Sequence, residues 1–178
     1  MANPADDVDD VGTVVGGLRR AGFEPILVGG VALVLLGSRR VTTDFDFVVA
    51  HPRERLQDLI DVFYDHGFEL ASRLNDAGDI SATIDNRRVA AIRLRIDQPD
   101  SAFFLKRKTG IRIDVFFDFP LPASTLAEHA TTLKVRSHVF HIASEDDLLR
   151  LKKIAHRDRS APGDAEDIAF LEARRARK

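Results

Sequence analysis

The 178-residue sequence contains no cysteine. Disulfides and thiolate chemistry are therefore excluded, and a reducing compartment fits. Nor is there an excess of charge: 26 Lys and Arg stand against 28 Asp and Glu, a net charge of −2. Nothing general then draws the chain to nucleic acid or to a membrane, and any anion site must be local. Arginine nonetheless outnumbers lysine, twenty to six. No apolar run approaches membrane-spanning length, and the acidic start of the sequence has no basic segment leading into an apolar one. These absences predict a soluble, cytoplasmic protein without a membrane partner. Repeats and low-complexity segments are also missing, and the length suits one domain with a real core and a small helical appendage.

What is present reads as alternating elements. Val8, Val11, Val14, Val15 and Leu18 recur at helical spacing over residues 5–20. Gly12, Gly16 and Gly17 weaken that helix by about 1 kcal/mol each, so it needs tertiary packing. A strand is predicted over 23–28, a short buried helix over 31–36, a strand over 44–50 and a helix from Pro52 to Gly67. Strand-like runs follow at 68–73, 80–84, 89–96 and 111–119, separated by turn residues. The remainder reads as a short helix at 125–129, a hairpin over 133–142, a helix opened by the capping-box residues Ser144 and Asp147, and a final helix carrying Ile168 and Leu171. This pattern predicts an α+β fold, a mixed β-sheet flanked by helices, with a short C-terminal helical pair. Residues 1–142 would form the core, and 143–178 a helical extension packed on it.

One stretch, residues 26–49, concentrates the chemistry. An apolar strand meets Gly29-Gly30, and after thirteen intervening residues Asp44-Phe45-Asp46-Phe47 begins a second strand. Alternation on a strand sends Asp44 and Asp46 to one side and Phe45 and Phe47 into the core. Paired carboxylates repel, and a divalent cation removes that cost; magnesium takes one or two carboxylates together with substrate phosphates. A helix opening at Gly29-Gly30 offers free N–H groups to phosphate, although a tight turn alone also accounts for the glycines. The pattern has decoys of its own in Asp7-Val8-Asp9 and Gly16-Gly17, both within the predicted first helix.

A third carboxylate would come from a neighbouring strand. In residues 111–119, Asp114 shares a side with Arg112 in an otherwise apolar run, where an unpartnered acid is costly. An ion pair with Arg112 is the alternative to a catalytic use. Asp118, near the end of the run, is the weaker candidate.

The Gly29-Gly30 turn, Arg40-Val41-Thr42-Thr43-Asp44-Phe45-Asp46 and the later Asp114 resemble the nucleotidyltransferase fold of the DNA polymerase beta superfamily. Within it the chain is similar to compact bacterial members, the AbiEii-type abortive-infection toxins and the small lincosamide or aminoglycoside nucleotidyltransferases. The resemblance implies that Gly29 and Gly30 hold an NTP donor and that Asp44, Asp46 and Asp114 bind two Mg²⁺ ions. It also implies transfer of an NMP to a hydroxyl acceptor, whether a small molecule, tRNA or protein, with a toxin-like role and an antitoxin or homodimer partner among its forms. In relatives the second turn residue is often Ser; Gly30 here removes one hydroxyl contact and keeps the backbone donors.

Residues 147–168 resemble the closing helices of that family, in which a Lys reaches the phosphates. At ~100° per residue Lys152 falls between Leu148 and Leu149 on the inward arc, whereas Arg150, Lys153 and Arg157 point outward. A snorkelling side chain or a pair with Asp167 would give Lys152 the same orientation. Arg40 gains a phosphate role from its motif position alone. The competing function is a nucleotide-binding regulatory protein that keeps the fold without turnover.

Overall fold

The computed structural model describes residues 4–178; Met1–Asn3, the very start of the acidic segment, lie outside it. Helix α1 (Pro4–Arg20) buries Val11, Val14, Val15 and Leu18. Its weakness is offset by packing, because Gly12 lies so close to the ring of His138 that any Cβ would collide with it. Strand β1 (Ile26–Val28) leads directly into α2 (Gly29–Leu35), and β2 (Phe45–Val49) follows the polar loop. A 3₁₀ turn at Arg53–Arg55 then enters α3 (Leu56–Asp65), whose Leu56, Leu59, Ile60 and Phe63 are buried.

The middle of the chain comprises β3 (Glu69–Leu74), β4 (Ile80–Ile84), α4 (Arg87–Asp97), β5 (Ser101–Lys106) and β6 (Ile111–Phe117). After it come α5 (Ala123–His129), the hairpin β7 (Thr131–Val135) and β8 (His138–Ile142), and the helices α6 (Glu145–Arg159) and α7 (Pro162–Ala176). All strands join one eight-stranded mixed sheet in the order β4-β3-β5-β6-β2-β1-β8-β7. The β2–β6 and β1–β8 pairs are parallel and the rest antiparallel. This is the α+β architecture that the pattern predicts.

The two faces of the sheet differ. On one, Phe63 of α3 stacks on Phe104 of β5 at 3.7 Å between ring centroids, and Phe104 pairs in register with Ile113. Phe45, Phe47 and Val49 belong to this buried core. The opposite face carries Asp46 and Val48 of β2 and Phe116 of β6, and α6 closes over it. Among the described residues no helix is long and apolar enough to cross a membrane.

Two elements depart from expectation. Residues 89–96 form most of helix α4, not a strand. The Ile92-Arg93-Leu94-Arg95-Ile96 alternation suggests period two, but the Asn86 side chain accepts from the N–H groups of Arg88 and Val89 and starts a helix. Ala90, Ala91 and Leu94 then bury a helical face. Residues 101–106, unassigned between two turn signals, form β5, which lies between β3 and β6.

Candidate active site

The site begins where β1 becomes α2. Gly29 has φ +70°, a left-handed conformation that favours glycine, and a Cβ there would collide with the carboxylate of Asp46. The acid therefore lies directly against the backbone of the turn. At Gly30 a Cβ would come within 3.0 Å of Thr42 Oγ1 and 3.1 Å of Arg40 Nε. The space that a serine side chain would take here is filled by Arg40. No side chain caps the first turn of α2.

Parallel pairing brings the acids together. Asp46 of β2 stands in register with Asp114 of β6, while Val28 of β1 flanks Asp46 on its other side. Asp44, half-buried, immediately precedes β2 and bears electrostatically on both of the other acids. Burial, then the charges of Asp114 and Asp44, raise the Asp46 carboxyl to about 7, against the opposing pull of Lys152 and Arg112. The carboxyl of Asp114 is likewise raised by burial, although Arg112 pulls it down.

Arg112 clamps Asp114 through two hydrogen bonds, from Nε at 2.6 Å and Nη2 at 3.0 Å. The same guanidinium donates to the carbonyl of Gly78 at 2.7 Å and lies 4.8 Å from the centre of the Phe103 ring. Such a two-pronged pair answers the charge of Asp114. Among the described residues no three His, Asp or Glu side chains are gathered closely enough to hold an ion. Asp44 and Asp46 remain a carboxylate pair of the kind that magnesium takes together with phosphate, and Asp44 adds, after burial and Asp114, to the raised pKa of Asp46. The oxygens of Asp114 each keep a lone pair beside the bond to Arg112.

Three cations from two segments, Arg40 of the loop before β2 and Lys152 and Arg159 of α6, converge on the same place. Asp167 of α7 accepts from Lys152 at 2.8 Å and from Arg40. Asp164 accepts from Arg159 at 3.2 Å, with Lys152 at 3.5 Å. Although burial alone would raise it, Arg159 and then Lys152 hold the Asp164 carboxyl below its usual range. Both aspartates are buried, so three cations are fixed by two anions and one positive charge is left over. Lys152 is thus inward, as the helical arc predicts, and it is paired with Asp167.

A cavity of about 350 Å³ opens between sheet and α6, with Gly29, Asp46, Lys152, Asp158 and Arg159 providing its polar parts. Most of its wall is apolar, including Val48, Phe116, Phe119, Leu148, Leu151 and Ile154. Gly29, Gly30, Arg40, Asp44, Asp46, Asp114 and Lys152 are all brought to this region. The decoys are not: Asp9 of α1 binds Arg136 and His138. Asp118 is structural, accepting from the backbone N–H groups of His51 and Ala123 at 2.9 Å each. Sequence reasoning did not find Arg159 or the anchoring role of Asp164. Their signal was spacing, since Arg159 lies seven residues after Lys152 on α6, and Asp164 one turn before Asp167 on α7.

No protein-family model and no curated protein sequence matches the chain. Solved structures do. An antigenic nucleotidyltransferase-like protein from Paracoccidioides brasiliensis superposes with a TM-score of 0.58 at 18% identity, covering 93% of this chain and 75% of that one. The antibiotic-resistance factor ANT(2'')-Ia gives 0.57 at 9% identity over 93% and 82%. The lincosamide antibiotic adenylyltransferase LnuA, bound to lincomycin, gives 0.55 at 12% identity over 92% and 95%. At such low identity these likenesses establish architecture, and the chain has the fold of the nucleotidyltransferases.

Proposed function

We propose that the protein transfers a nucleoside monophosphate from an NTP to a hydroxyl acceptor. The observation that carries this reading is the position of Asp46: against the Gly29 backbone, in register with Asp114, and on the wall of a cavity that also presents Lys152. Asp44 and Asp46 would hold magnesium, with Asp114 completing the set on the acceptor side. Magnesium there supplies neutralisation of phosphate charge and a lower pKa for the attacking hydroxyl.

The remaining roles belong to the chain. The N–H groups at Gly29-Gly30, with Lys152 and Arg40, orient the β- and γ-phosphates, and the surplus positive charge around Asp164 and Asp167 favours their binding. Asp114, kept in place by Arg112, takes the proton of the acceptor hydroxyl as its oxygen attacks the α-phosphorus and pyrophosphate leaves. Residues 1–142 form the catalytic core, and 143–178 close over it. A cavity of about 350 Å³ with an apolar wall suits a small acceptor with an apolar body. Toxin-like transfer to tRNA or protein would bring a hydroxyl to the same carboxylates.

Incubation with α-labelled NTPs and magnesium, followed by mass spectrometry of small molecules, cellular RNA and the protein itself, tests the reading. Label is expected in an acceptor with wild type and not with Asp46→Asn; equal, negligible incorporation by both across all four NTPs refutes it. One observation favours a second reading, a nucleotide-binding protein without turnover: Asp114 is already clamped by Arg112. Magnesium-dependent NTP binding by calorimetry, with no product, would select that alternative.

A further inference from the structure

Helix α4 is apolar on two sides. Ala90, Ala91 and Leu94 face the core, but Val89, Ile92 and Ile96 are 51%, 52% and 74% exposed. At ~100° per residue these three form one contiguous stripe, about 10 Å long for seven residues of rise. Single exposed aliphatic side chains are ordinary; three β-branched ones aligned on a single helix face are not.

The stripe has a charged border. On the same helical projection Arg88 and Arg95 run along one edge and Arg93 along the other. Arg93 is neutralised by Asp97 and Arg87 by Asp61 and Asp65. Arg88 and Arg95 have no ion pair among the described residues, and both face a depression of about 510 Å³ between α3 and α4. Gln57 and Asp61 line its α3 side, and Ile92 joins it to the stripe. With Asp61 taken up by Arg87, the depression keeps the two arginine charges.

We infer that this face of α4 docks an amphipathic helix of another protein, one whose apolar side is bordered by carboxylates. The apolar side would cover Val89, Ile92 and Ile96, and its carboxylates would reach Arg88 and Arg95 in the depression. Charge complementarity selects this occupant. A second copy meeting the same face would set arginine against arginine. Elsewhere the exposed large apolar residues are Val34, Val41, Leu74, Phe119, Leu133 and Val139, and Lys134 stands opposite Val139, so the chain supplies no acid-edged apolar helix of its own among the described residues. Single-stranded RNA is disfavoured because the face has no aromatic side chain on which a base could stack. A lipid surface is disfavoured because the stripe has no Trp, Phe or Lys and spans only two turns. Contact over two turns points to a transient, low-area interface.

The experiment uses the ¹⁵N-labelled full chain and two synthetic helical peptides with the same leucine face, one bordered by Glu and the other by Lys. The Glu peptide is expected to shift the amides of residues 88–96 saturably and to bind at least about tenfold more tightly than the Lys peptide. Ile92→Ser with Ile96→Ser, both at solvent-facing positions, is expected to abolish binding while the spectrum elsewhere stays unchanged. Arg88→Glu with Arg95→Glu is expected to reverse the preference between the peptides. Equal affinity for both peptides, or binding that survives the serine pair, overturns the inference. So does tighter binding of anionic vesicles or of a polyuridine oligonucleotide than of the Glu peptide. None of these readouts depends on nucleotidyl transfer.

Discussion

Replacing Asp46 with asparagine is expected to make the protein more stable at pH 8, not less. The folded chain holds the Asp46 proton up to about pH 7, whereas the ordinary carboxyl releases it near 3.8. Between those values the folded state binds more protons than the unfolded one, so stability falls as pH rises through the window and stays low above it. The full gap corresponds to roughly 4 kcal/mol. One edge of the carboxyl faces the cavity and recovers some solvation, so about 2 kcal/mol is the working figure.

Urea denaturation of wild type and Asp46→Asn, in chelator, at a series of pH values from 4 to 8 measures the difference directly. The two proteins are expected to differ little near pH 4, with the variant gaining about 2 kcal/mol by pH 8. Magnesium is then expected to stabilise wild type at pH 8 and to leave the variant unchanged, since the ion relieves the repulsion that asparagine has already removed. Lys152→Met is expected to move the wild-type inflection to higher pH, because Lys152 is among the groups that lower the Asp46 pKa. A variant that is destabilised equally at every pH, or a wild-type curve without the downward slope, would refute the account of Asp46 as a carboxyl raised by burial and by its acidic neighbours.

Other changes separate structural from electrostatic roles. Gly29→Ala is expected to cost at least about 1–2 kcal/mol for the left-handed backbone alone, and to weaken NTP binding by displacing the Asp46 carboxylate. Denaturation and calorimetry report the two losses. Asp167→Asn removes a buried charge shared by Lys152 and Arg40 and is expected to destabilise by about 3 kcal/mol, read as a lower denaturant midpoint. Asn86→Ala deletes the acceptor at the start of α4 and is expected to cost about 1 kcal/mol, with loss of amide-exchange protection confined to that helix.

Much of the fold was legible because burial and period agree. Phe45, Phe47 and Val49 alternate with Asp46, and β2 lies with one face in the core and the other on the cavity. Helix α4 was not legible, because its arginines fall between aliphatic residues that are not all buried. Period two in the sequence there reflects two apolar helix faces, only one of them turned to the core. Strand β5 was hidden because it runs directly between two stretches of turn residues; its pairing with β6 along its whole length, and with β3 through Leu105 and Phe104, is what defines it.

For the site, residue type and local spacing located the glycine turn, the acid pair and the inward Lys152. What they could not give was partnership over distance. Whether Asp114 stands beside Asp46 depends on a parallel pairing of strands far apart in sequence, and the positions of Arg40 and Lys152 depend on Asp167. Each is a tertiary fact.

That dependence on Asp164 and Asp167 also orders the site in time. During synthesis the glycine turn and Asp46 emerge early, Asp114 only after another 68 residues, and the aspartates that fix Arg40, Lys152 and Arg159 later still. A domain folds as a unit, and here β1, which leads into the glycine turn, pairs with the late strand β8. A nascent chain that ends before α7 lacks the anions that fix Arg40, Lys152 and Arg159, so on the proposed function its phosphate site is complete only once the sequence through Asp167 has been made.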